Sequence, residues 1–428
     1  MNSLRGVVRA MAVLVVVSVG LAGCASPDPA PSREPAESPA GAPSREKAES
    51  PASAPSLEPA ASPPPSEPTA AGPVGLADIA WVYTPPPSAL GGPNGAFTIQ
   101  AGSLADAEPI VNLDVPWRAE LGAGLARQPA IGEPHGGTVV YVADDGAESE
   151  VHRVEIAADG ADEVLATLDD VVWDIVVAPD GTVAYAAVVA RVDPARDLGI
   201  VRILLDGSGS VEPLVPPAQP AAAGAIRRVA TLAFQVDLAI SSDGEHLVRR
   251  TCQEAGTCLV EVIELASGRS IELPDREVLG VAAGVIVSRR CGAQVCAVEA
   301  IDIETRAIAS AGIDVSGPVV EAGGHPVIVA VVSDGRGTIT VDAVDPVSGR
   351  HHVLHRVPGG SDVTYGAFLD LQMDLPDGLV HLVQMPIGEG GGAVRAGEQH
   401  LLIAVVEGRA FEIPRPAFRQ PEGFGTEG

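Results

Sequence analysis

The chain has 428 residues, of which 46% are hydrophobic and only 3% aromatic, and its formal net charge at pH 7 is −29. Such a length and hydrophobic content suffice for a large core, which must be built mainly from Val, Ile, Leu and Ala. An acidic surface repels phosphate backbones, because non-specific nucleic-acid binding needs a basic footprint, so we expect no nucleic-acid partner. The acidity serves solubility in the simplest interpretation, and weak binding of divalent cations is the alternative.

Residues 1–23 have the features of a bacterial export signal. Arg5 and Arg9 form a positive flank, an apolar run too short to span a bilayer follows, and the segment ends in Leu21-Ala22-Gly23-Cys24. This ending resembles a bacterial lipobox, and the resemblance implies that Cys24 carries the lipid and becomes the mature N-terminus. We therefore expect an anchor in the bacterial cell membrane, on its extracytoplasmic face. If the source has an outer membrane, Ala25 is compatible with localisation there, because it is not the aspartate that retains such lipoproteins at the inner membrane. An ordinary secretory signal is the alternative to a lipobox.

Residues 24–73 predict a tether between this anchor and a folded domain. The segment is rich in Pro, Ala, Ser and Glu and repeats itself every 12 residues, beginning at Ala30, Ala42 and Ala54. Such a composition cannot bury enough apolar area to offset the entropy of ordering, which predicts disorder. The folded domain is predicted to span 74–416, and 417–428 is predicted to be a disordered tail.

A repeat of 38 to 39 residues reveals how the domain is built. Leu247–Cys252 and Cys258–Leu265 are strand-like runs joined by a short loop, and Ile286–Cys291 and Cys296–Ile303 repeat the pattern. Strand repeats of this length are typical of propeller blades. Asp-Gly turns, which favour hairpins, mark the repeat elsewhere at Asp180, Asp243 and Asp377.

These segments resemble the repeat of TolB-type and WD-repeat-like propellers, and the resemblance is confined to the repeat unit. The fold class is therefore predicted to be all-β, a β-propeller of four-stranded blades. Seven blades are favoured, six or eight being the alternatives, and the first blade lacks an obvious innermost strand. The blades are predicted at about 76–114, 121–168, 170–215, 228–274, 276–312, 315–358 and 362–415.

Four cysteines follow Cys24, and in an exported chain they should be oxidised. Cys252 with Cys258, and Cys291 with Cys296, would each close a hairpin between facing strands, where the Cα atoms lie within disulfide range. Pairing between blades would have to bridge separate blade tips. A four-thiolate zinc site is disfavoured, because the loop spacings and the compartment are both unsuitable.

Other candidate sites have simpler interpretations. His351, His352 and His355 lie on a predicted outer strand, where positions four apart are about 13 Å apart and cannot share one ion, so no metal site is predicted there. Neither a Gly-x-Ser-x-Gly elbow nor a Walker loop occurs in the sequence. No cofactor is predicted, and a divalent cation is kept as an alternative.

In propellers of the resembled kind, the loops between second and third strands gather on one face, which commonly binds. The arginines that precede the cysteines form a basic cluster near these loops, and guanidinium groups suit carboxylate or phosphate recognition. Pairing of the arginines with neighbouring acids is the alternative. The predicted binding face contains Arg249, Arg250, Arg289, Arg290, Asp144 and Asp145.

Anchor, tether and repeat fold together favour a binding module or scaffold for a protein, peptide or glycan, and we expect a monomer. The alternative is a propeller hydrolase or lyase with acids in its channel, for which dependence on a divalent cation stays open. An enzyme is the less favoured class. Its acids would be Asp370, Asp374, Asp144 and Asp145.

Overall fold

The computed structural model describes residues 75–84, 97–116, 130–157, 160–191, 196–217, 235–252, 258–274, 276–291, 295–335, 337–369, 371–388 and 397–419, with the single positions 392 and 394. The predicted signal peptide, Cys24 and the predicted tether lie outside these ranges. Nearly all the regular structure in them is β-strand, with short 3-10 helices at Leu76–Asp78 and Gly366–Leu369. None of the helices described here has the length and apolar character needed to cross a membrane.

Seven antiparallel sheets make up the described part of the chain, which confirms the all-β propeller and the count of seven blades. The first three blades contain β1 Ala80–Tyr83, β2 Phe97–Ser103, β3 Val111–Val115, β4 Thr138–Asp144, β5 Ser149–Glu155, β6 Ala161–Leu168, β7 Val171–Val177, β8 Val183–Val189, β9 Asp197–Leu204 and β10 Val211–Val215. Blades four and five contain β11 Gln235–Ile240, β12 His246–Cys252, β13 Cys258–Glu264, β14 Ser270–Pro274, β15 Arg276–Ala282, β16 Val285–Cys291, β17 Cys296–Asp302 and β18 Ile308–Ser310. Blades six and seven contain β19 Val319–Ala322, β20 His325–Ser333, β21 Ile339–Val344, β22 His351–Val357, β23 Ser361–Tyr365, β25 Leu379–Pro386, β26 Gln399–Ala404 and β27 Arg409–Ile413. The short strand β24 Leu371–Met373 lies between β23 and β25 in the chain but belongs to the sheet of the first blade.

Strand β8 shows why these sequences form stacked blades. All seven of its residues are buried, although alternate side chains of a strand point to opposite faces of the sheet. Ala184 and Ala186 pack into a cluster with residues of blade two, whereas Tyr185 and Ala187 pack into a cluster with Leu247 and other residues of blade four. A strand inside a propeller is therefore apolar on both faces, because each sheet is covered by two neighbours.

The predicted Asp-Gly hairpins form at the inner strands. Gly181, Gly244 and Gly378 all have positive φ, between 68° and 76°, a conformation that glycine adopts without steric cost. The carboxylate of Asp243 accepts a hydrogen bond from the amide of Glu245 at 2.9 Å, which fixes the turn.

The ring closes through one divided strand. β23 pairs with residues 382–386 of β25 in the last blade, and the chain then crosses through the second 3-10 helix to form β24. β24 pairs with β1 and so supplies the innermost strand that the first blade lacks in its own sequence. Each half of this divided strand thus completes a different blade.

The C-terminal segment reinforces the closure. Phe418 is 7% exposed, and its ring centroid lies 4.2 Å from that of Tyr83 and 6.3 Å from that of Trp81. The amide of Arg419 donates a hydrogen bond to the side chain of Gln100 at 2.6 Å. The packed structure therefore extends to residue 419, past the boundary at 416 that the composition suggests.

The cysteine hairpins lie where the repeat predicts them. Cys291 and Cys296 are partners in adjacent strands, with Cα atoms 3.9 Å apart, and they form a disulfide. Cys252 and Cys258 also face each other in the register of β12 and β13. Their side chains lie outside the described part, so this second disulfide stays a prediction.

Candidate functional site

The two ends of the ring carry different connections. Because every blade alternates strand direction, the connections between second and third strands all leave from one end, named here the loop face. These connections are 84–96, 145–148, 190–196, 253–257, 292–295, 334–338 and 387–398. The turns between first and second strands, and between third and fourth strands, lie at the opposite end, named here the turn face.

Asp144 ends β4 at the loop face, but it is 1% exposed. Its carboxylate accepts hydrogen bonds from both terminal nitrogens of Arg191 at 3.0 Å and from the hydroxyl of Ser149 at 2.7 Å. Arg191 follows β8, so the ion pair joins blades two and three. Asp145 accepts hydrogen bonds from the amides of residues 147 and 148 and shapes the exposed turn. Asp144 thus links two blades and Asp145 stabilises a turn, so both carboxylates have structural roles at the loop face.

Arg249 is buried as well, with 2% of its surface exposed. Its Nε donates to the carboxylate of Glu261 at 2.7 Å, and one terminal nitrogen lies 3.6 Å from Asp197 and donates to the carbonyl of Pro216 at 3.2 Å. One positive charge is thus surrounded by two negative charges beneath the surface. An anionic ligand would meet a site that is already filled by carboxylates of the protein.

The other arginines also have acidic neighbours. Arg289 contacts Asp314 at 2.7 Å and Glu277 at 3.6 Å. Arg290 is 60% exposed in its side chain and lies 3.9 Å from the carboxylate of Glu299. Arg250 lies at the same end of β12 and has interaction partners of its own. The structure therefore brings the predicted arginines to the loop-face ends of blades four and five, where cross-strand pairing accounts for Arg249, Arg289 and Arg290.

Two of the acids predicted for a catalytic channel, Asp374 and Asp144, lie far apart in the structure. Asp374 follows β24 at the turn face, where its carboxylate accepts a hydrogen bond from the amide of Gly136 at 2.7 Å. Gly136 precedes β4, whereas Asp144 ends it, so the two carboxylates lie at opposite ends of a seven-residue strand. At about 3.3 Å per residue this separation is about 20 Å. Asp374 and Asp144 therefore cannot act on one bond, and Asp370 lies outside the described residues.

The three histidines of β22 contact different groups. Nδ1 of His351 lies 3.3 Å from the carboxylate of Asp342, whereas Nε2 of His355 lies 3.3 Å from the side-chain oxygen of Gln384 in blade seven. The ring of His352 borders the backbone at Gly408. The three imidazoles therefore have three separate sets of neighbours in the structure.

Two exposed aliphatic side chains on the loop face were not predicted from the sequence. Val295 is 71% exposed in the hairpin closed by the Cys291–Cys296 disulfide, and Ile387 is 42% exposed at the start of the corresponding connection in blade seven. Both lie at tips of blades, where their side chains are exposed to solvent among the residues that the structure describes. The signal in the sequence was an isolated aliphatic residue in a polar connection, which is too common to be diagnostic.

A polar network in the last blade was also missed. His381 and His400 lie in adjacent strands, with Nε2 of His381 3.0 Å from Nδ1 of His400. Nε2 of His400 lies 3.5 Å from Glu398, whose side chain is 2% exposed and forms an ion pair with Nε of Arg415 at 2.8 Å. Burial lowers the pKa of His381 to about 3, and the neighbouring His400 acts in the same direction. His381 is therefore uncharged near pH 7, and the two stacked imidazoles hold β25 against β26 inside the blade.

Ligands suited to a metal ion come together on the turn face. Asp243, Glu245 and His246 place one candidate donor atom each within 4.8 Å of one another. The three residues are also close in the sequence. Asp243 was interpreted there only as part of an Asp-Gly turn, so the set of metal-ligand side chains was not recognised.

No protein-family model matches this chain, and no curated protein matches it. Among solved structures, the chain is similar to TolB from Acinetobacter baumannii, with 13% identity and a TM-score of 0.36 over 64% of this chain and 62% of that one. It is also similar to prolyl endopeptidases, with 12% identity and a TM-score of 0.48 over 80% of this chain and 51% of theirs. An oligogalacturonate lyase in complex with manganese gives 11% identity and a TM-score of 0.42 over 75% of this chain and 82% of that one.

The chain therefore spans about half to three fifths of the first two of these proteins. The seven antiparallel blades confirm the propeller domain that the repeat predicted. Likeness at this identity concerns the fold alone, and proteins of different activities share it.

Proposed function

We propose that this chain is a lipid-anchored, extracytoplasmic β-propeller that binds a protein partner through its loop face. One observation carries the proposal. In the described part of that face, the buried acids and arginines are paired with one another, whereas the aliphatic side chains of Val295 and Ile387 point outward. Ion pairs that join strands and blades make a fixed platform, and exposed aliphatic tips supply apolar area for an interface core.

A protein is favoured over a glycan because of the chemistry of these tips. Aliphatic side chains gain free energy by leaving water, and a protein partner offers the apolar surface needed for this. Aromatic residues, which serve as flat amphipathic contact surfaces, make up only 3% of the chain. The disulfide between Cys291 and Cys296 also holds one tip in shape before binding, which lowers the entropy cost of association.

The anchor is proposed from the sequence alone. A cysteine that follows Leu21-Ala22-Gly23 supports lipidation at Cys24, and the low-complexity segment to residue 73 would hold the propeller away from the membrane. Labelling cells with a fatty-acid analogue tests this. The wild-type protein should become labelled and fractionate with membranes, whereas Cys24→Ser should lose the label and leave the membrane fraction. Equal labelling of both proteins would contradict the proposed anchor.

Partner binding is tested by point substitutions on both faces. Removal of the whole connection 386–398 is unsuitable, since it would delete the buried Glu398. The double variant Val295→Asp/Ile387→Asp places charges at both loop-face tips without touching the core. Val347 and Val406, in third-to-fourth-strand turns on the turn face, are 52% and 65% exposed and provide the control.

The measurement is capture from detergent-solubilised membranes of the source, with mass spectrometry of bound proteins. A protein retained by the wild type and by Val347→Asp/Val406→Asp, but lost with the loop-face variant, supports the proposal. Equal retention by all three proteins would refute a loop-face interface.

A further inference from the structure

The hairpin between β11 and β12 combines an ordered turn with three side chains of metal-ligand type. Oδ1 of Asp243 accepts hydrogen bonds from the hydroxyl of Ser241 and from the amide of Glu245, the latter at 2.9 Å. The turn therefore holds the Asp243 carboxylate in place before any ligand arrives. Glu245 and His246 follow directly, and the donor atoms of the three side chains lie within 4.8 Å of one another.

His246 is the independent observation that points to a ligand. It is 6% exposed, and its Nδ1 is buried with no hydrogen-bond partner in the described structure. That nitrogen lies 4.0 Å from Oδ1 of Asp243, too far for a hydrogen bond but on the side of the acidic group. A buried polar atom without a partner is unfavourable, and such atoms are uncommon in folded proteins. A cation held between the imidazole and the carboxylates would satisfy it.

Space for further ligands lies beside His246. A cavity of about 270 Å³ opens between blades four and five and is lined by His246, Glu264, Arg269, Ile303, Glu304 and Arg306. Water molecules, or a donor group of a ligand in this cavity, could complete the coordination of an ion bound at the hairpin.

We propose that Asp243, Glu245 and His246 form a binding site for a divalent transition-metal ion of the Zn²⁺ type, on the turn face. An imidazole nitrogen with carboxylate oxygens suits Zn²⁺, whereas Ca²⁺ and Mg²⁺ prefer ligand sets made only of oxygen. Three protein ligands leave one position of a four-coordinate ion for water or for a ligand. This site lies on the turn face and not on the loop face, so its test does not depend on the proposed protein partner.

The hairpin between β7 and β8 provides a control inside the same molecule. Asp180-Gly181 forms the same turn, with φ of 68° at its glycine against 71° at Gly244, and Asp180 accepts a hydrogen bond from the amide of Thr182 at 3.0 Å. Thr182 and Val183 stand there in place of Glu245 and His246. The turn therefore needs neither the second carboxylate nor the imidazole.

This comparison gives a variant designed to fold. Glu245→Thr/His246→Val gives the fourth blade the sequence of the third-blade hairpin at these two positions. His325, which is exposed at the start of β20, supplies the control variant His325→Val. All proteins are purified as full chains in detergent, without a histidine tag, and stripped with a chelator.

Zn²⁺ binding is then measured by titration calorimetry in an excess of Mg²⁺, which occupies weak carboxylate sites. We expect the wild type and His325→Val to bind one Zn²⁺ ion, and the hairpin variant to bind at least about tenfold more weakly. The circular dichroism spectra of the metal-free variants should match that of the metal-free wild type, which shows that the variants are folded. Absence of stoichiometric binding in the wild type, or equal affinity in the hairpin variant, would overturn the site.

Discussion

Replacement of Phe418 by alanine should destabilise the propeller strongly, although a Pro-rich C-terminal sequence suggests a dispensable tail. The ring is 93% buried and packs against Trp81 and Tyr83 of the first blade. An aromatic side chain buries about 150–250 Å², which at about 25 cal/mol per Å² corresponds to about 4–6 kcal/mol. Phe→Ala substitutions in cores cost about 3–5 kcal/mol. We therefore expect the free energy of unfolding to fall by about 3–5 kcal/mol.

Phe411 is the matched control, because it is also a phenylalanine near the C-terminus but is 39% exposed on the outer strand β27. Phe411→Ala should cost about 1 kcal/mol or less, as for surface substitutions away from buried features. Urea unfolding followed by far-ultraviolet circular dichroism measures both. If the two variants lost the same free energy within about 1 kcal/mol, residue 418 would not hold the first and last blades together.

Two further substitutions test the buried charges and the buried imidazole. Arg249→Ala should lower the free energy of unfolding by about 3–5 kcal/mol, because it leaves two carboxylates unpaired below the surface. Arg269 belongs to an ion pair in which the arginine side chain is 75% exposed, so Arg269→Ala should lower it by at most about 1 kcal/mol. Urea unfolding measures both. The pKa of His381 is lowered from 6.5 to about 3 in the folded protein. As the pH falls, the imidazole is therefore protonated near pH 6.5 in the unfolded chain but only near pH 3 in the folded chain. Stability should therefore fall as pH drops below 6.5, by up to about 1.4 kcal/mol per pH unit from this group. His381→Leu should flatten that slope between pH 6.5 and 5, as measured by urea unfolding at each pH. An unaltered slope in this variant would contradict the assignment.

Local chemistry explains why the blades could be read from the sequence. Asp-Gly turns, strand-like runs and paired cysteines act within one hairpin, so their spacing alone locates a blade and places Cys291 opposite Cys296. The count of seven followed from these markers, and it was confirmed.

Contacts between distant residues could not be read in this way. β24 has three residues without a distinctive pattern, and only its pairing with β1 reveals its role. Arg249 looked like a surface cation because Glu261 and Asp197 approach it from other strands and another blade. The ligand pattern around His246 was visible in the sequence, but its burial and its unpaired nitrogen were not.

The divided strand also sets an order for folding during synthesis. The first blade is made early, yet its innermost strand is made only with residues 371–373, and Gln100 meets Arg419 across 319 positions of the chain. Closure of so long a loop is slow, and unpaired strand edges remain open to other chains until it occurs. A polypeptide emerging from a ribosome thus stays an open row of blades until the residues of β24 have been made. A chain truncated before residue 371 would be left with an unclosed first blade and an exposed edge that favours aggregation.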